Sequence, residues 1–198
     1  MKNSILVFLT MVLLHISACT QPNQKVEKRV VPNCEDCELM FEGMPENMSW
    51  QTTIAGSNEP GEPLIISGVI YKQDGKTPAS GVVLYVYHTD NSGHYSPGSN
   101  QKLGKRHGQL RGWMKTDLQG LYQFKTIRPA SYPNRKDPQH IHSIIKESAT
   151  SIYWIDEYLF KDDPLVTEEV KAREHKRGGP GIIQLKKNEN GVWMGQRD

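Results

Sequence analysis

Several absences narrow this 198-residue chain before any motif is read. There are only three cysteines, and no second C-x-x-C accompanies the one in NCEDCE, so a four-cysteine zinc site has no sequence to build it. No G-x-G-x-x-G follows a strand pattern, which removes a dinucleotide-binding loop and with it nicotinamide or flavin chemistry of that kind. Neither heptads nor an internal repeat appear, which sets aside coiled coils and solenoids. A net charge of +2 leaves no electrostatic footprint for nucleic acid. The four tryptophans, Trp50, Trp113, Trp154 and Trp193, are dispersed and make no carbohydrate-binding cluster. The one long apolar run lies at the start, and it is shorter than the roughly 20 residues that a spanning helix needs.

That run has a purpose of its own. Lys2, the stretch ILVFLTMVLL and the small-residue site ISAC form the charged, apolar and cleavage regions of a secretory signal over residues 1–18. Ile16-Ser17-Ala18-Cys19 resembles a bacterial lipobox, so Cys19 is expected to carry lipid and to become the mature N-terminus. Residues 19–33 then hold the lipidated Cys19 and a polar tether, of which residues 20–32, fully extended, reach on the order of 45 Å. The expected product is an exported, membrane-anchored bacterial lipoprotein whose folded domain covers residues 34–198. Lipidation of Cys19 leaves Cys34 and Cys37 as an even pair, and in an oxidising compartment a small-loop disulfide is expected. A half zinc site and a redox dithiol are the competing readings of that pair.

With 17 glycines, 12 prolines and 36% hydrophobic residues, the remainder suits a loop-rich β protein. LIISGVIYK and GVVLYVYHT are rich in β-branched and aromatic residues. WMKTDLQGLYQFKTI reads as a hairpin turning at Asp117-Leu118-Gln119-Gly120, HIHSIIKE as a strand, and IIQLKK-NENG-VWMG as a terminal hairpin. The expectation is an all-β fold, a single sandwich of short antiparallel strands. PLVTEEVKAREHKRGG, acidic first and basic last, is expected to be the one short C-terminal helix.

His140 and His142 flank one isoleucine. In a strand they share a face, so two imidazoles can converge on a metal, although a solvated face without a metal has the same pattern. His88, His94, His107 and His175 are the other histidines of the domain. Asp137 is the nearest acid for a triad of two histidines and a carboxylate, but Pro138 intervenes and nothing in the spacing carries it to the strand face.

The order of motifs adds what spacing leaves open. GVVLYVYHTDNSGHY, then RGWMKTDLQGLYQFKTIRPASYP, then HIH resembles the intradiol ring-cleavage dioxygenases over about residues 64–164. The resemblance implies a β-sandwich holding non-haem Fe(III) with two tyrosinates, Tyr95 and Tyr132, and two imidazoles, His140 and His142. It further implies that a catechol-type diol chelates the iron, that Tyr132 leaves the metal and takes a proton, and that O2 opens the ring to a cis,cis-muconate-type diacid. Phenolate suits ferric iron: a tyrosine hydroxyl, with a pKa of about 10, becomes an anionic ligand only beside a strong Lewis acid. Tyr122 reads as strand core and His94 as a loop residue near the ligands.

Three departures from the family stand out. Asp137 occupies the place of an arginine that supports substrate, leaving Arg135 or Lys136 to supply a cation. The loop between Tyr132 and His140 is short. Glu157 falls near a position that is commonly glutamine, where an acid would repel a catecholate. The alternative function is a non-catalytic exported binding module with structural iron or no metal.

Overall fold

The computed structural model describes residues 34, 36–97, 106–133, 137–147 and 152–198. The signal segment, the tether with Cys19, Arg135 and Lys136 lie outside the described residues. After a short 3-10 helix at Cys37–Phe41, the strands are β1 (Gln51–Thr53), β2 (Pro63–Val69), β3 (Val83–Tyr87), β4 (Arg111–Lys115), β5 (Leu121–Ile127), β6 (His140–Lys146) and β7 (Ile152–Phe160). Helix α1 (Glu168–Ala172) precedes β8 (Ile182–Ile183), β9 (Lys186–Lys187) and β10 (Trp193–Gln196). They form two five-stranded sheets, β1-β5-β2-β10-β9 and β4-β3-β6-β7-β8.

The all-β sandwich stands, with two corrections. The sheets are mixed, since β1 runs parallel to β5, β10 to β2 and β8 to β7. The expected hairpin at Asp117–Gly120 is instead a crossing between sheets, with β4 pairing β3 and β5 pairing β2. Patterning explains why. Met114 on β4 and Tyr122 and Phe124 on β5 are all buried in one cluster, so the two strands face each other through the core and do not lie edge to edge. Thr116 holds the branch point: its hydroxyl accepts from Val82 N at 3.0 Å and donates to Ala79 O at 2.6 Å. The terminal hairpin forms as expected, with β9 antiparallel to β10.

β3 is buried on both faces, which is why VLYVY reads as continuous rather than alternating. Leu84 and Val86 enter the core between the sheets, while Val83 and Tyr85 meet Cys37, Met40, Ile144 and Ile152 in a second cluster on the outer face. The N-terminal segment supplies that cover and is pinned there by Trp113 Nε1, which donates to Met40 O at 2.6 Å. Cys34 and Cys37 are joined as a disulfide at its edge. The expected helix is a single five-residue segment capped by Thr167, whose hydroxyl accepts from Val170 N. Its short length follows from its surroundings: no residue of it is buried, and isolated helical turns are costly to nucleate.

Candidate metal centre

Strand β6 alternates as its sequence demands. Ile141 is fully buried toward the core, and His140 and His142 emerge together on the opposite face. A bulge follows at once. Ile141 pairs with Tyr158 but Ser143 pairs with Ile155, so Asp156 and Glu157 of β7 both stand across from His142.

Each imidazole is oriented through Nδ1. His140 Nδ1–H donates to Pro138 O at 2.7 Å, and His142 Nδ1–H to Glu157 Oε1 at 2.9 Å. These tautomers follow from the partners, a carbonyl and a carboxylate that only accept. Both Nε2 atoms are therefore bare lone pairs, and they point at one another across 3.2 Å.

The loops after β3 and β5 bring in two phenols. Asp90 shapes the first, its Oδ1 accepting from Ser92 N at 2.8 Å and His94 N at 3.1 Å. The loops are stitched together by Thr89 Oγ1, which donates to Ala130 O, and Ala130 N, which donates to Asp90 O. Tyr95 Oη lies 2.6 Å from Tyr132 Oη and 2.9 Å from His142 Nε2. Tyr132 Oη lies 3.0 Å from His140 Nε2 and 3.2 Å from His142 Nε2. All four side chains singled out in the sequence thus converge.

Protons alone do not account for this cluster. Two phenol hydrogens serve four contacts, and a fifth, between the imidazoles, has no hydrogen at all. A cation at the centre satisfies every lone pair, and donors about 2.1 Å from one ion stand about 3 Å apart at right angles, close to the separations observed. Burial, then the hydrogen bond and charge of Tyr132, push the Tyr95 hydroxyl far above its ordinary range. Burial also lowers His140, with His142 reinforcing it. Two neutral imidazoles beside phenols that ionise only next to a strong Lewis acid are a donor set suited to ferric iron.

The surroundings contain residues that sequence reading missed. Tyr87, seen only as part of a strand, is sandwiched between rings, 3.7 Å from the His107 centroid and 4.6 Å from that of His142. His107 is buried, and its Nδ1 lies 3.0 Å from Tyr85 Oη. Among the described residues, the carboxylate within reach of His140 and His142 is Glu157, not Asp137. Burial works against its charge, but the hydrogen bond donated by His142 Nδ1 holds its carboxyl below the ordinary range. His94 is exposed beside Ser92, and His175 packs against the edge of Trp154 on the wall of the same cavity. A cavity of about 630 Å³ opens on the cluster, lined by Tyr87, Tyr132, Asp137, His140, His142, Glu157, Trp154 and the Cys34–Cys37 bridge.

Residues 42–177 match the family described as Dioxygenase. The chain belongs to the intradiol ring-cleavage dioxygenase family. Among its relatives, a catechol 1,2-dioxygenase of Acinetobacter lwoffii is 26% identical over 146 residues, covering 65% of this chain and 46% of the relative. The protocatechuate 3,4-dioxygenase beta chain of Burkholderia cepacia is 27% identical over 122 residues, covering 56% and 50%. The chain therefore spans about half the length of these two relatives or less. The dioxygenase domain of a dioxygenase carbohydrate-binding protein fusion from Streptomyces sp. SirexAA-E shares the fold, with a TM-score of 0.57 and 20% identity over 78% of this chain and 89% of that one.

Proposed function

We propose that this protein is an exported, lipid-anchored enzyme that opens catechol-type diols between their hydroxyl groups with O2, yielding a cis,cis-muconate-type diacid. The observation that carries the reading is the convergence of Tyr95, Tyr132, His140 and His142 on one point of the cavity wall. Family membership supports the same chemistry. The signal-like start and Cys19 support export and anchoring.

Ferric iron held by these four donors would supply a Lewis acid that binds the diol as an anion and activates its ring toward O2. The chain does the rest. The Nδ1–H bonds to Pro138 and Glu157 keep both imidazoles turned toward the centre. Tyr132 sits on a short loop rather than a strand and touches the other three donors, so its phenolate oxygen is the base within reach of a diol proton once it leaves the cluster. The Tyr87 ring, stacked against His142, lines the cavity beside the donors. Both atoms of O2 end in the two new carboxyl groups as the ring C–C bond breaks, so the balance needs no external reductant.

The test is reconstitution with ferric iron followed by catechol and air. Stoichiometric oxygen uptake with formation of the diacid supports the reading. Iron uptake without oxygen consumption across a panel of catechols points to the binding module instead. Replacing Cys19 with serine should release the protein from membranes, and recovery of unprocessed Met1 in the mature protein would reject the anchoring.

A further inference from the structure

The two imidazoles of the centre have unequal partners. His140 Nδ1–H meets a neutral carbonyl, Pro138 O, whereas His142 Nδ1–H meets a carboxylate, Glu157. His140, His142 and Glu157 place one donor atom each within 4.8 Å of one another, so Glu157 has two geometric readings, a fifth ligand or a partner acting through His142. The ring decides between them. Nδ1 and Nε2 point away from an imidazole in divergent directions, and Nε2 of His142 is the atom that faces Tyr95, Tyr132 and His140. An oxygen that accepts from Nδ1 lies on the opposite flank.

The backbone is built to keep it there. The bulge aligns Asp156 and Glu157 opposite the single residue His142. Gly181 backs that bulge: a Cβ added to it would stand 2.5 Å from Glu157 O. Leu159 N donates to Gly181 O at 3.0 Å, and Glu174 Oε1 accepts from the N–H groups of Gly181 and Ile182. The segment 174–182 therefore clamps the bulge from behind.

We propose that Glu157 is a positioning residue whose negative charge, and not only its hydrogen bond, makes His142 the stronger of the two imidazole donors. This rests on the four-donor iron reading above. A hydrogen bond to an anion draws the Nδ1 proton toward the carboxylate and leaves more electron density at Nε2, which favours the higher charge of ferric over ferrous iron. An amide in the same place would orient the ring without that effect.

Two substitutions separate the contributions. Glu157→Gln keeps an oxygen acceptor for Nδ1–H and removes the charge, and Glu157→Ala removes both. Iron affinity by chelator competition and the energy of the tyrosinate-to-iron absorption band are measured on the full chain. Glu157→Gln should hold iron about 10-fold more weakly, with the band moved to longer wavelength, and Glu157→Ala should fall toward 100-fold, the span typical of residues that support a ligand. In the metal-free protein, NMR should find His142 protonated at Nδ1 in the wild type and in Glu157→Gln, a readout that survives if Glu157→Ala does not fold. Wild-type affinity and an unshifted band in Glu157→Gln would overturn the role of charge. Loss of iron in Glu157→Gln as complete as in His142→Ala would make Glu157 a ligand and overturn the positioning role. A wild-type protein that takes up no iron would instead sink the four-donor site, and this inference with it.

Discussion

Gly93 lies so close to Ser131 that a Cβ added to it would stand 2.1 Å from the Ser131 carbonyl oxygen. Its φ of 82° is also one that other residues adopt only with strain. The contact matters because Gly93 leads into Tyr95 and Ser131 precedes Tyr132, so it sets how far apart the two phenols stand. Gly93→Ala should push the loops apart, costing about 1–3 kcal/mol in stability and at least about 10-fold in iron affinity. Denaturant unfolding and chelator competition check both. Unchanged iron affinity would mean that the loops do not depend on this contact.

His88 should make the metal-free protein acid-sensitive. It is buried as a neutral ring, Nδ1–H donating to Thr89 O and Nε2 accepting from Thr126 Oγ1, and burial lowers its pKa from 6.5 to about 4. The unfolded chain takes up this proton below about pH 6.5 and the folded one only near pH 4. Stability from this group is complete above pH 6.5, declines as pH falls toward 4 and is flat below, a total of about 3 kcal/mol. Urea unfolding across that window should show a shallower decline in His88→Gln than in the wild type. Equal slopes would assign the acid sensitivity to other groups.

The Cys34–Cys37 bridge lines the cavity on which the four donors open. Thiol labelling without reductant should find neither cysteine free. The double serine variant should lose about 1–3 kcal/mol of stability and keep its iron. Removal of the metal along with the bridge would tie the second core cluster directly to the site.

Substrate charge should matter. Asp137 and Glu157 both face the cavity, so a carboxylated catechol should show a KM at least about 10-fold above that of plain catechol. Asp137→Asn should narrow the gap. Arg135→Ala should widen it if that side chain supplies the cation. Equal KM values for both substrates in all three proteins would show that wall charge plays no part.

The site was legible in the sequence to different depths. His140 and His142 follow from a period of two, a purely local rule. Tyr95 and Tyr132 do not, because they lie 37 residues apart on separate loops, and only the order of motifs brought them forward. Glu157 stands out in the sequence only as a misfit with the family. Its role depends on a bulge that no pattern of side-chain types announces, and the same carboxylate that would repel a diol proves to be occupied by His142. At the level of the fold, the Asp117–Gly120 turn was visible as a turn, but turn chemistry alone does not say whether its strands pair by edge or by face. The parallel partners of β1, β8 and β10 are likewise non-local and leave no mark on the strands themselves.

The visible spectrum of the protein reconstituted with ferric iron, followed as catechol is added without oxygen and air is then admitted, decides the main proposal. The expected record is a tyrosinate charge-transfer band that requires Tyr95, Tyr132, His140 and His142, shifts as the diol binds, and returns to its starting form as oxygen is consumed and the diacid appears. A folded protein that stays colourless and takes up no iron would contradict the four-donor site and the ring-opening function built on it.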